Sequence, residues 1–190
     1  GRHGINLATG DSNILIGNYA DTSAADSDLA TVIGYNVTGV AGYTTVGANG
    51  DDIRAAHGNV TWEVISDERV KKDITDATAG LSFISDLKPK TFKYKNKGDL
   101  PTESRSYEKD STEVFKNSKT HHGFIAQEVK ATIDAHNEIA DGFAMWNAED
   151  DTGLQRLGET ALIPILVKAL QELSAKNDAL AARITALEGA

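Results

Sequence analysis

A serine hydroxyl and a lysine amine stand five residues apart in the string Ser66-Asp67-Glu68-Arg69-Val70-Lys71, where a glycine-punctuated stretch gives way to a charged one. Such a pair can cut a peptide bond. Ser66 would attack the carbonyl of the bond before it, Ile65-Ser66, while a neutral Lys71 takes the hydroxyl proton. Lysine ordinarily titrates near ~10.4, so the base role needs burial or a neighbouring cation, and ordinary surface placement would defeat it. Arg69 and Lys72 lie close in sequence and could supply that charge. The same string also reads as a helix start, with Ser66 as N-cap and Asp67 and Glu68 favouring the positive helix end.

Further along, His121 and His122 stand directly before Gly123-Phe124-Ile125-Ala126. Either could support a site, or serve as a strand-edge histidine or a protein contact. His121, His122, Glu128 and His136 lack a recognisable metal-ligand spacing, so neither a metal nor another cofactor is expected. With no cysteine in 190 residues, disulfides, thiolate metal sites and cysteine nucleophiles are excluded. Any stapling must come from packing or from association of copies.

The formal net charge of -9 argues against a general nucleic-acid binder and against adhesion to anionic membranes. No apolar run approaches the roughly 20 residues of a membrane span, and a soluble piece of a longer protein, holding one or two domains, is expected.

The elements that must position these residues fall into two styles. Up to residue 62 a phrase recurs: Asn13-Ile14-Leu15-Ile16-Gly17, Ala30-Thr31-Val32-Ile33-Gly34 and Tyr43-Thr44-Thr45-Val46-Gly47. Each is a short β-branched strand closed by a glycine turn. Units this small cannot bury their own apolar faces, so they stack on one another or across copies of the chain, giving a β-rich shaft. The alternative is a meander of short antiparallel strands. Residues 22–28 read as loop.

From residue 66 the pattern turns mixed. Leu81, Ile84 and Leu87 fit one helical face that Lys88-Pro89 ends. Phe92 and Tyr94 alternate as in a strand, residues 96–119 form a long polar loop, residues 122–126 a second strand, and Gln127 opens a helix. At the C-terminus, Ile163, Leu170, Asn177 and Ile184 at a positions alternate with Leu166, Leu173, Leu180 and Leu187 at d positions. That is a heptad seam over residues 163–188, with Pro164 placed in a first turn and Asn177 able to fix register. The alternative is an amphipathic helix packed on its own domain.

The N-terminal phrases resemble head repeats of trimeric bacterial adhesins and stalk repeats of phage tail fibres. The resemblance is more specific downstream. Residues 66–74, the 81–94 segment with Lys88-Pro89 and Phe92-Lys93-Tyr94, and the block His122-Gly123-Phe124-Ile125-Ala126-Gln127-Glu128-Val129 resemble, in order, the endosialidase-type intramolecular chaperone. That family is a self-cleaving serine peptidase at the C-terminus of phage tail spikes and fibres. The resemblance implies an α+β chain: a trimeric β-stalk over residues 1–65, β-prism or β-roll-like, and a chaperone and processing domain over residues 66–190. It implies Ser66 as nucleophile, Lys71 as base and cleavage at Ile65-Ser66, with Asp67 helping to position the bond. The implied partners are two further copies of the chain and its own upstream shaft, in a virion tail, with the chaperone released in the bacterial host cytoplasm. A trimeric stalk or anchor without peptidase activity is the competing expectation.

Overall fold

The computed structural model describes residues 6–139, 142–148 and 152–189. They form two compact units, Gly1–Ile74 and Thr75–Ala190. The first unit therefore takes in the Ser66-Lys71 string, and the division falls at 74/75, after the expected 65/66 boundary.

In the first unit the chain winds through β1 (Ile14–Ile16), β2 (Asp21–Thr22), β3 (Thr31–Tyr35), β4 (Thr38–Gly39), β5 (Tyr43–Ala48), β6 (Asp51–Ala56) and β7 (Glu63–Val64). The three repeated phrases stack on one another in parallel, β1 on β3 and β3 on β5, while β2 lies parallel to β4. This is a coil of successive turns, and the antiparallel meander is thereby corrected for the repeats. Only its last strands, β6 and β7, run antiparallel, completing a sheet in the order β1-β3-β5-β6-β7. Residues 22–28 are not simply loop, because Thr22 and Ser27 are buried and Thr22 belongs to the second ladder.

Stacking sets the glycines. Gly17 and Gly34 hold φ of +123° and +142°, and a Cβ on either would stand 1.9 Å from the carbonyl oxygen of the glycine in the next turn, Gly34 or Gly47. No side chain fits there. Ala20, Ala30, Val32 and Val37 fill the interior of the coil, with Leu15 against them. Asn13 ties successive turns, accepting from the Ala30 amide at 2.8 Å and donating to the Ser27 carbonyl at 2.7 Å. The β5–β6 hairpin turns on Asn49-Gly50, both at positive φ (52° and 80°), as a two-residue hairpin turn of this twist requires.

The second unit comprises α1 (Leu81–Asp86), β8 (Lys90–Phe92), β9 (His121–Gly123), α2 (Ala126–Ala135), β10 (Trp146–Asn147), β11 (Arg156–Leu157) and α3 (Ile163–Glu188). β8 pairs with β9 and β10 with β11, both antiparallel. Its core joins Phe83 and Leu87 of the α1 region, Val129 and Ile133 of α2, Met145, and Leu162 and Ile165 at the start of α3. Of the expected α1 face, Leu87 is buried in this core and Ile84 packs against it, and Phe83 joins them. Phe83 is fully buried at its centre, and Leu81 and Ile84 are half-buried. A helix of six residues carries too little periodicity to fix its inward side.

The Gly80 N-cap of α1 offers no side-chain acceptor, and Glu172 of α3 takes that role, accepting from the Leu81 amide at 2.9 Å. The long β8–β9 connection is gathered by Lys97, whose ammonium reaches Glu108 at 2.9 Å and Glu113 at 2.8 Å.

α3 runs for 26 residues, with Pro164 in its first turn. It packs on its own unit through Ile165, Ala169 and Glu172, the c and g positions of the heptad register. The seven apolar a and d side chains, Ile163, Leu166, Leu170, Leu173, Leu180, Ile184 and Leu187, are exposed, and Asn177 with them. Packing on the helix's own domain therefore uses a different face and leaves the seam uncovered.

Candidate functional site

Residues 68–70 form one 3-10 turn, and its cap is Asp67 rather than Ser66. Asp67 Oδ1 accepts from the Arg69 amide at 2.9 Å, and the Arg69 guanidinium closes on the same carboxylate through Nε at 2.9 Å and Nη2 at 2.6 Å. This clasp holds the Asp67 carboxyl at about 2, chiefly through the guanidinium. It also raises Arg69. The expected N-cap role of Ser66 is corrected by one residue, which frees its hydroxyl.

After the turn, Lys71 donates its amide to the Glu68 carbonyl at 3.0 Å and leaves in extended conformation, φ -115° and ψ 152°. Its side chain returns over the turn, and Nζ donates to Ser66 Oγ at 2.7 Å. The structure thus brings Ser66 and Lys71 together within hydrogen-bond reach. Arg69, expected as a cation beside Lys71, is instead occupied by Asp67.

Every residue from His57 to Thr78 is exposed, the Ser–Lys pair included. The apolar side chains around it share that exposure: Trp62, Val64, Ile65, Val70 and Ile74. An ammonium in water donates to the hydroxyl, whereas a general base must first lose its proton, which burial promotes. In a single chain the pair therefore has its geometry without its desolvation.

His121 and His122 belong to β9, in the second unit. The His121 ring bonds Asn117 Oδ1 through Nε2 at 2.9 Å, stacks on Phe92 with centroids 5.8 Å apart, and meets the edge of Tyr94 at 4.9 Å. His122 is exposed. Among the described residues no group of three or more His, Asp or Glu side chains could hold a metal ion, and no helix is long and apolar enough to cross a membrane.

One titrating residue was not legible as such. His136, at the end of α2, pairs through both ring nitrogens, Nδ1 with the Glu138 carboxylate at 2.9 Å and Nε2 with that of Asp86 of α1 at 2.9 Å, with its ring edge-on to Phe83. Both carboxylates raise its pKa, Glu138 the more. Its partner Asp86 lies fifty residues away, so no local pattern announces the pair.

The chain thus holds a coiled β unit, a mixed α/β unit and, within the first, a hydrogen-bonded serine–lysine pair. Residues 66–137 match the family model described as chaperone of endosialidase, Peptidase S74, a family of intramolecular chaperones. The match opens on Ser66 and spans the pair, α1, β8, β9 and α2. No curated protein and no solved structure matches the chain.

Proposed function

We propose that the chain belongs to a phage tail spike or fibre, in which residues 66–190 assemble three copies, nucleate the β-shaft and then cut themselves off at Ile65-Ser66. The observation that carries this reading is the 2.7 Å contact between Lys71 Nζ and Ser66 Oγ, in the string at which the family match begins.

The chemistry follows from that contact. Neutral Lys71 removes the hydroxyl proton as Ser66 Oγ adds to the Ile65 carbonyl carbon. The C–N bond breaks, the proton passes from Lys71 to the departing Ser66 nitrogen, and an Ile65 ester on Ser66 Oγ remains. Water hydrolyses the ester, leaving an Ile65 carboxylate, a restored Ser66 hydroxyl and a new amino terminus on Ser66. Nucleophile and base act as one unit, so losing either removes the reaction.

Neutral Lys71 is where assembly enters. Copies closing over the exposed 57–78 segment would bury Trp62, Val64 and Ile65 and expel water from the pair, favouring the uncharged amine. The exposed a and d residues of α3 supply the means of association, since a heptad seam is filled by helices of matching period and Asn177 pairs with its own equivalent. The order also suits a shaft of stacked turns. Three chains must lose loop-closure and alignment entropy before an intertwined shaft gains burial, and a coil formed from local contacts supplies the nucleus.

Expression of the parent beside Ser66→Ala and Lys71→Ala, followed by denaturing gels, tests the reading. The parent should yield fragments 1–65 and 66–190, and both variants should stay intact. An intact parent would favour a trimeric stalk or anchor without peptidase activity, a reading that the exposure of Lys71 supports.

A further inference from the structure

The acyl half of the proposed scissile bond hangs from the last strand of the first unit. β7 has two residues, Glu63–Val64, and ends one residue before Ile65. It pairs antiparallel with β6, Arg54 opposite Glu63 and Ile53 opposite Val64. Residues that oppose each other across such a ladder share a face of the sheet. On the Arg54 face, Nε donates to Glu63 Oε2 at 3.2 Å, and the guanidinium carbon stands 5.2 Å from the centre of the Tyr43 ring of β5. One side chain thus ties three successive strands. Continued by one step, the register sets Ile65 opposite Asp52, and a cavity of about 200 Å³ there is lined by Thr38, Asp52, Arg54, Glu63, Val64 and Ile65.

We infer that Arg54 is a positioning residue for the cut, a reading that rests on the cleavage proposed above. The nucleophile side of the bond is already fixed: the Asp67–Arg69 clasp holds the turn, and Lys71 reaches back to Ser66. Ser66 Oγ must approach the Ile65 carbonyl carbon from above or below the amide plane, so the carbonyl has to be held as well as the hydroxyl. Burial does not hold it, since every residue from His57 to Thr78 is exposed. The ladder to β6 does, and Arg54 reinforces that ladder on the face where Ile65 continues it. Arginine suits the task because its guanidinium can bond a carboxylate and lie over an aromatic ring at once. Both partners of the ion pair are 45% exposed, so the hold is modest and its effect on rate is limited to match. Arg54 acts through β7 and takes no part in the bond changes.

The full chain serves for the test. Arg54→Ala should slow the cut about three- to tenfold in time courses on denaturing gels. Arg54→Glu should slow it by about tenfold or more, because two carboxylates then face each other, and adding Glu63→Arg should recover most of that loss. The pH of half-maximal rate should stay where the parent has it, since Arg54 places the carbonyl and does not tune Lys71. In the uncut chain carrying Ser66→Ala, adding Arg54→Ala should quicken amide hydrogen exchange of residues 59–65 about three- to tenfold and leave residues 13–48 unchanged. With a parent that cuts, an unslowed Arg54→Ala, no recovery in the swapped pair, a shifted pH midpoint or unchanged exchange at residues 59–65 would overturn the inference and keep the peptidase. An uncut parent would remove the peptidase and the positioning role with it, even where exchange still reports the tie between Arg54 and Glu63.

Discussion

At the scale of the residue, a one-position difference decides what Ser66 can do. Serine and aspartate are both good helix caps, so the string alone could not say which would take the role. The structure gives it to Asp67, because Arg69 adds two guanidinium bonds to the amide bond that either cap would accept. Asp67→Ala should therefore loosen the turn that carries Lys71 back to Ser66, slowing cleavage by roughly 10- to 100-fold without changing the assembled mass. Time courses on denaturing gels, with light scattering alongside, measure both. With its carboxyl held at about 2, below the ordinary value of 3.8, Asp67 supports the folded turn above pH ~4 and ceases to do so as pH falls through about 2. His136 behaves in the opposite sense. Raised above its ordinary value of ~6.5 by Glu138 and Asp86, it stabilises the second unit fully below that value, and the contribution is lost as pH rises through the folded value. His136→Gln should cost about 1 kcal/mol near pH 6 and less near pH 9, read from urea unfolding at the two pH values.

At the scale of the element, legibility tracked how local each signal was. The heptad of α3 and the strand–glycine phrases are carried by neighbours in sequence, and both elements lie where the pattern puts them. The glycines of the phrases gain their reason only in three dimensions. Gly34 sits under the Gly47 carbonyl at positive φ, so Gly34→Ala should destabilise the first unit by at least about 1–3 kcal/mol, as a denaturant midpoint shift would register. β2 and β4 have two residues each, and β6 begins Asp51-Asp52, so none announces itself as a strand. Phe83 was hidden because α1 is short and its neighbours lie on α2 and α3. Truncating it should cost about 3–5 kcal/mol, enough to threaten the second unit outright, again by denaturant unfolding. The capping of α1 by Glu172, ninety-one residues away, was beyond any local reading.

At the scale of the whole molecule, α3 bears an apolar face beyond the one that packs on its own unit. The α3 seam is uncovered although α3 is already packed through Ile165 and Ala169, so substitutions on the two faces test association and folding separately. Leu173→Asp with Leu180→Asp should reduce the assembly to single copies, by sedimentation velocity, with little loss of helix in circular dichroism. Ile165→Asp should instead unfold the second unit. If the seam variant kept its assembled mass, the coil would not be the nucleus. On the proposed reading, a cut between shaft and chaperone would keep unfolding of the shaft from being reversed by the same route and would make its persistence a matter of rate. The proposed release of the shaft depends on one bond being broken. Amino-terminal sequencing of the fragments after expression of the parent chain locates it: the account predicts a fragment beginning Ser66-Asp67-Glu68 that is absent from Ser66→Ala and Lys71→Ala. An uncut parent, or a fragment beginning at any other residue, would contradict it.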